Sequence, residues 1–190
     1  MTWSQLQNTS IWRAAEATYK ADPRRRYHTW DHVHRLYHHA ERTLNLPYDR
    51  DLDLAIVAHD VIYDEHPKKE LRSAEWLKAM MGIGFERAYD IVMQTCDHTL
   101  IKDGDNRIVL LDLADLSIPE RVIWNRDRVM EEFMALYGID ETAFNAGNVS
   151  FFAEFLTRFD PDVLDLGGVE HGLALKIQEG MHKTIGLAQT

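Results

Sequence analysis

The chain has 190 residues, with 21 Lys and Arg against 31 Asp and Glu, a net charge of −10, and 45% hydrophobic residues. One globular domain over residues 1–190 is the expected organisation, and the acidic balance excludes broad nucleic-acid binding, which needs a basic face. No apolar run approaches the roughly 18–20 residues that span a bilayer. The opening Met1-Thr2-Trp3-Ser4-Gln5 lacks a signal pattern, and the single Cys96 can form no internal disulfide, so a cytoplasmic protein is expected.

In chain order, Val33, Leu36, Tyr37, Ala40 and Leu44 recur at helical spacing and predict a helix that stops near Pro47. The next segment, 51–63, is apolar nearly all round and predicts a central buried helix. Residues 64–69, with Pro67, predict a loop, and helices follow at 70–81 and 85–97 with Gly82 and Gly84 between them. His98, Asp103, Gly104, Asp105 and Asn106 mark a turn-rich loop, and 108–117 predicts a second buried helix. Pro119 suits the first turn of a helix running to Tyr137, and Gly138 ends it. Asp140 suits the N-cap of the next helix, in which Phe151, Phe152, Phe155 and Leu156 are expected in the core. Gly167-Gly168 precedes a last helix at 169–186. The fold class is therefore all-α, a bundle of about eight helices.

Two features carry chemistry. Five of the ten histidines, His28, His32, His34, His38 and His39, crowd one stretch, with His28 and His32 one helical turn apart. The pair His59-Asp60 then sits inside Ala55-Ile56-Val57-Ala58-His59-Asp60-Val61-Ile62-Tyr63. Burying even a neutral polar group without a partner costs about 2–7 kcal/mol, so this pair demands compensation. A divalent cation satisfies a neutral imidazole and a carboxylate together. Further on, Asp112 and Asp115 share one face of the apolar helix 108–117 and compete for a role as acidic ligand.

The order His32, His59-Asp60, Asp115 resembles the H…HD…D signature of the HD superfamily of metal-dependent phosphohydrolases. More narrowly, four blocks are similar to a family of small HD phosphohydrolases: Tyr27-His28-Thr29-Trp30-Asp31-His32, His59-Asp60-Val61-Ile62-Tyr63-Asp64, Glu70-Leu71-Arg72-Ser73-Ala74 and Asp115-Leu116-Ser117-Ile118. The resemblance covers residues 24–137 and leaves 140–190 without a transferred role. It implies an HD-type helical fold in which His32, His59, Asp60 and Asp115 bind one divalent metal ion (Mn, Fe, Co, Ni, Zn or Mg), with metal-activated water hydrolysing a small phosphate ester, such as a nucleotide. It prefers Asp115 over Asp112. Asp60 could bridge a second ion, as in some superfamily members.

Other groups are candidates for substrate handling and catalysis. His28 could reach a phosphate oxygen or simply pack on Tyr27. Arg24-Arg25-Arg26 is a local basic patch from which one arginine, taken as Arg26, faces the site; surface exposure is the alternative. Lys68 and Lys69 could bind phosphate from the loop, and Arg72 could help. Asp64 could act as general acid or base, or cap a turn. Glu70 could share that role or form a surface pair. His98, after Thr95, resembles a family Thr-x-x-His feature and could protonate a leaving group, or could be a helix-end histidine favoured by the dipole. A di-iron HD-type oxygenase, with His28 and His98 or Asp64 as extra ligands, and a non-catalytic nucleotide-binding sensor are the competing readings. The expected partner is a small phosphorylated substrate, with no membrane association and a homo-oligomer open.

Overall fold

Helical periodicity resolves into nine α-helices, a π turn and two 3-10 turns, with no strand among the described residues. The structure, a computed structural model, describes Trp3 and residues 5–188. The all-α class expected from the sequence is the class observed. The chain divides into two compact units. One takes in the described residues as far as His98 with Arg107–Val109; the other takes in Thr99–Asn106 and the described residues from Leu110 onward.

In the first unit, α1 (Ser10–Ala21) starts at Thr9, whose hydroxyl accepts the Trp12 N–H at 3.3 Å. It buries Ile11, Trp12, Ala15 and Tyr19 along one stripe. Helix α2 (Trp30–His38) runs into a π turn, His39–Thr43, closed by Leu44 N–H donating to His39 C=O at 3.0 Å. The face predicted from spacing is the buried one: Val33, Leu36, Tyr37, Ala40 and Leu44 all lie inside.

Helix α3 (Arg50–Ala58) is central. Asp49 caps it, accepting the N–H groups of Asp51 at 3.0 Å and Leu52 at 3.3 Å. Asp49 also pairs with Arg87 at 2.9 Å and Arg107 at 2.8 Å. Leu52 and all of Leu54–Ala58 are fully buried, because α1, α2, α4 and α5 pack around this helix. It is shorter than the predicted 51–63. His59 N–H still reaches Ala55 C=O at 2.9 Å, but Val61 N–H tightens onto Ala58 C=O at 3.1 Å, and Asp60 N–H leaves the ladder to donate to the Tyr19 hydroxyl at 3.2 Å. The His-Asp pair therefore occupies a turn at the helix end. After the loop come α4 (Lys69–Met81), α5 (Glu86–Met93) and a 3-10 turn, Gln94–Cys96. Gly82 and Gly84 separate α4 from α5 with φ of 72° and 67°, backbone that a Cβ disfavours.

The second unit holds α6 (Arg107–Ser117) from Leu110 on, α7 (Val122–Tyr137), α8 (Glu141–Leu156), a 3-10 turn Pro161–Val163, and α9 (Val169–Leu187). Helices α7, α8 and α9 pack pairwise. Asp140 caps α8 as expected, accepting Ala143 N–H at 2.8 Å. Two expectations are corrected. Pro119 lies in a separate turn before α7, where Arg121 N–H bonds Ile118 C=O at 3.0 Å. Phe151 is 48% exposed while Phe152 and Phe155 are buried, because adjacent helical positions sit about 100° apart and the buried stripe takes only one of them. Gly180 marks a close helix approach: a Cβ there would lie 1.4 Å from the Ser117 carbonyl oxygen at the end of α6.

Candidate metal centre

The site is built from two chain turns in the first unit. Thr29 precedes α2, and His32 N–H closes back on Thr29 C=O at 3.0 Å, which sets His32 in the first turn. Trp30 beside it anchors the helix start against Trp12 and Tyr19, with ring centroids 4.8 Å and 5.5 Å apart. The second turn, after α3, carries His59 and Asp60. Both imidazoles are fully buried, and the Asp60 carboxylate is 10% exposed.

The donor atoms converge. His32 Nε2 and His59 Nε2 lie 3.1 Å apart. Asp60 Oδ2 is 3.2 Å from His59 Nε2 and 3.8 Å from His32 Nε2. His59 Nδ1 is 3.0 Å from Ile56 C=O, and a carbonyl only accepts, so Nδ1 donates and the neutral ring keeps its Nε2 lone pair facing inward. Metal–nitrogen and metal–oxygen bonds of about 2.0–2.2 Å place neighbouring donors roughly 3.0–3.5 Å apart at octahedral or tetrahedral angles. The His32–His59 and His59–Asp60 spacings fall in that range, the His32–Asp60 spacing of 3.8 Å lies just outside it, and the chemistry of the three donors suits a divalent cation. The His59 Nδ1–H bond to a backbone carbonyl is the orientation that metal-binding histidines require.

A chain of aromatic and cationic groups runs outward from Asp60. His28 Nε2 is 3.9 Å from Asp60 Oδ2. Its ring stacks on Tyr63, centroids 3.8 Å apart and planes 21° apart, and meets Tyr27 edge-on. Lys69 Nζ sits 3.9 Å from the Tyr63 ring centre. His28 therefore packs on Tyr27 and also faces the carboxylate. Asp64 takes a two-pronged bond from Arg72 at 2.7 and 2.8 Å and caps a local turn by accepting His66 N–H. The Arg72 guanidinium holds the Asp64 carboxyl below its usual range, so it is ionised at neutral pH and a weaker base than a free carboxylate. Glu70 lies half-buried in the first turn of α4. His98 follows the 3-10 turn in left-handed backbone, φ 53°, with its N–H on Gln94 C=O at 3.1 Å. Arg26 is exposed and donates to the carbonyls of Pro23 and Arg25 in its own turn.

Asp115 belongs to the second unit, at the end of α6. It is fully buried; its carboxylate is 3.6 Å from Arg121, and its carbonyl accepts from the Asn125 side chain, which also donates to Leu116 C=O at 2.8 Å. Asp112, one turn earlier, is half-buried.

Sequence reasoning gave three neighbours of the candidate site no individual role. Arg25, the middle arginine of the patch, is 7% exposed and donates to backbone carbonyls at the His-Asp turn. Tyr19 holds Asp60 N–H. Ser73 is fully buried and bonds both the N–H and the C=O of Ile62, at 3.1 and 3.2 Å, which explains a serine in the Glu70–Ala74 block. None of the three stands out in the sequence, since Arg25 lies between two other arginines, Tyr19 between Thr18 and Lys20, and Ser73 between Arg72 and Ala74.

No family model matches the chain, and no curated protein or solved structure matches it significantly. Among the described residues, no helix is long and apolar enough to cross a membrane.

Proposed function

We propose that the chain is a metal-dependent phosphohydrolase of the HD type, acting in the cytoplasm on a small phosphate ester such as a nucleotide. The observation that carries this reading is the convergence of two buried imidazoles and a carboxylate within 3.8 Å of one another. His32, His59 and Asp60 would hold the cation. The signature assigns a further donor to α6, Asp115, with Asp112 as its competitor, and that assignment rests on the motif alone. A bound divalent ion supplies an activated water and polarises a phosphoryl oxygen. His28 and Lys69 would bind phosphate oxygens, Asp64 would take a proton, and Arg72 would keep Asp64 ionised.

Metal analysis of the purified chain, followed by hydrolysis of a generic phosphate ester and of nucleoside and sugar phosphates with each cation, tests the reading. Neither metal nor turnover would sink it. Two irons per chain without phosphatase activity would favour the di-iron oxygenase, a reading supported by the third imidazole, His28, beside Asp60. Tight nucleotide binding without turnover would favour a sensor.

A further inference from the structure

We propose that Arg25 is the positioning residue of the donor triad, locking the turn that carries His28 to the turn that carries His59 and Asp60. This rests on the metal-site reading above and adds to it the device that sets the donor spacing. The Arg25 side chain is buried between the two turns. Nη1 donates to Asp60 C=O at 2.9 Å and to His28 C=O at 3.3 Å; Nη2 donates to Val61 C=O at 2.9 Å. Its acceptors here are three neutral carbonyls from two separate segments. The guanidinium lies 5.0 Å from the Tyr19 ring centre and 5.9 Å from that of Tyr63, which provide π-faces to the cation.

The arrangement completes a brace on one residue. Asp60 N–H is held by the Tyr19 hydroxyl and Asp60 C=O by Arg25, so both peptide groups flanking its Cα are fixed from outside α3. Fixing them aims the carboxylate, because the Cα–Cβ direction follows the backbone. His28 is tied by the same guanidinium, and that sets the second imidazole-bearing turn against the first. Arginine suits this task where lysine does not: its planar fork reaches several acceptors at once and keeps its charge when buried. These contacts are to backbone, so Arg25 acts through Asp60 and His28.

The test uses the full chain with Arg25→Leu, Arg25→Lys and, as control, Arg13→Leu at an exposed position of α1. Cobalt(II) is titrated while its visible d–d band is recorded, with circular dichroism confirming the fold. Arg25→Leu is expected to lower cobalt affinity about tenfold or more and to shift the band, the size usual for loss of a group that orients metal ligands. Arg25→Lys should recover part of the affinity, and Arg13→Leu should match the wild type. A folded Arg25→Leu chain with wild-type affinity and band overturns the proposal. If Arg25→Leu does not fold, Arg25→Lys with an unchanged band overturns it. Wild-type protein that takes no cobalt defeats the metal reading instead. The positioning claim is then decided by imidazole nitrogen NMR of the metal-free chain, where unchanged His28 and His59 signals in Arg25→Lys overturn it.

Discussion

His59 is constrained through both of its ring nitrogens. Its Nδ1–H is taken by Ile56 C=O, and its Nε2 meets His32 at 3.1 Å and Asp60 at 3.2 Å. A ligand that binds only the folded state stabilises it by about 2.7 kcal/mol at a hundredfold excess over its Kd. Saturating manganese or zinc should therefore raise the Tm of the wild type and leave His59→Ala unmoved, read by scanning fluorimetry. Equal shifts in both would remove His59 from the site. Lys69 makes a different prediction. Its ammonium rests on Tyr63, which stacks on His28, so it would contact substrate without touching the cation. Lys69→Ala should raise KM roughly tenfold, the value of a charged hydrogen bond, with kcat nearly retained. A fall in kcat at constant KM would contradict the assignment.

At the scale of elements, two helix contacts dominate the expected stability effects. Asp49 begins α3 and binds two arginines at once. Burial alone would raise its pKa, but hydrogen bonds from Arg87, Arg107 and Leu52 N–H outweigh that and hold it well below the ordinary 3.8. A lowered carboxyl pKa stabilises above 3.8, and the gain is lost as pH falls through the folded-state value. Asp49→Ala should cost about 0.5–2 kcal/mol for the cap, plus a share from the ion pairs, at neutral pH. The difference from wild type should narrow in acid, measured by urea unfolding at several pH values. A difference independent of pH would exclude the ion pairs as its source. Gly180 is the other contact. Its α-carbon packs on the Ser117 carbonyl with no room for a methyl group. Gly180→Ala should destabilise by about 1–3 kcal/mol through overpacking, despite alanine's better helix propensity. A Tm equal to or above wild type would show that α9 can move away.

Over the whole molecule, acid behaviour combines opposing groups. Asp53 is fully inaccessible and takes the Tyr37 hydroxyl at 2.5 Å; burial pushes its pKa up more than its hydrogen bonds pull it down. A raised carboxyl pKa makes stability fall as pH climbs from 3.8 through the folded-state value, the opposite sign to Asp49. Asp53→Asn should flatten that part of the stability–pH curve; an unchanged slope would assign it to other groups. Much of the fold was legible because burial left a periodic trace, as in the Val33–Leu44 face, and because Gly82, Gly84, Gly138 and Asp140 mark helix ends. The Gly180 approach was not, since nothing around it distinguishes a packing glycine from a tolerated one. Within the site, the order of histidines and aspartates pointed to His32, His59 and Asp60 together. Of the three consecutive arginines the sequence pointed to Arg26 as the inward one, whereas Arg25 is the buried one and Arg26 is exposed, because that choice depends on the turn from α1 to α2. It could not reveal that Asp64 is held by Arg72, a pairing across a loop.

The early stop of α3 has an electrostatic consequence. A helix ending at Ala58 brings its negative dipole end, about half an elementary charge, to His59 and Asp60. Had the helix run on through Tyr63, that end would lie a turn further along the chain. At the proposed cation site the backbone would therefore add to the attraction before any side chain is counted. If the proposed site binds a cation, lengthening α3 should weaken that binding even with all donors intact, so where the helix ends would matter as well as which residues follow it.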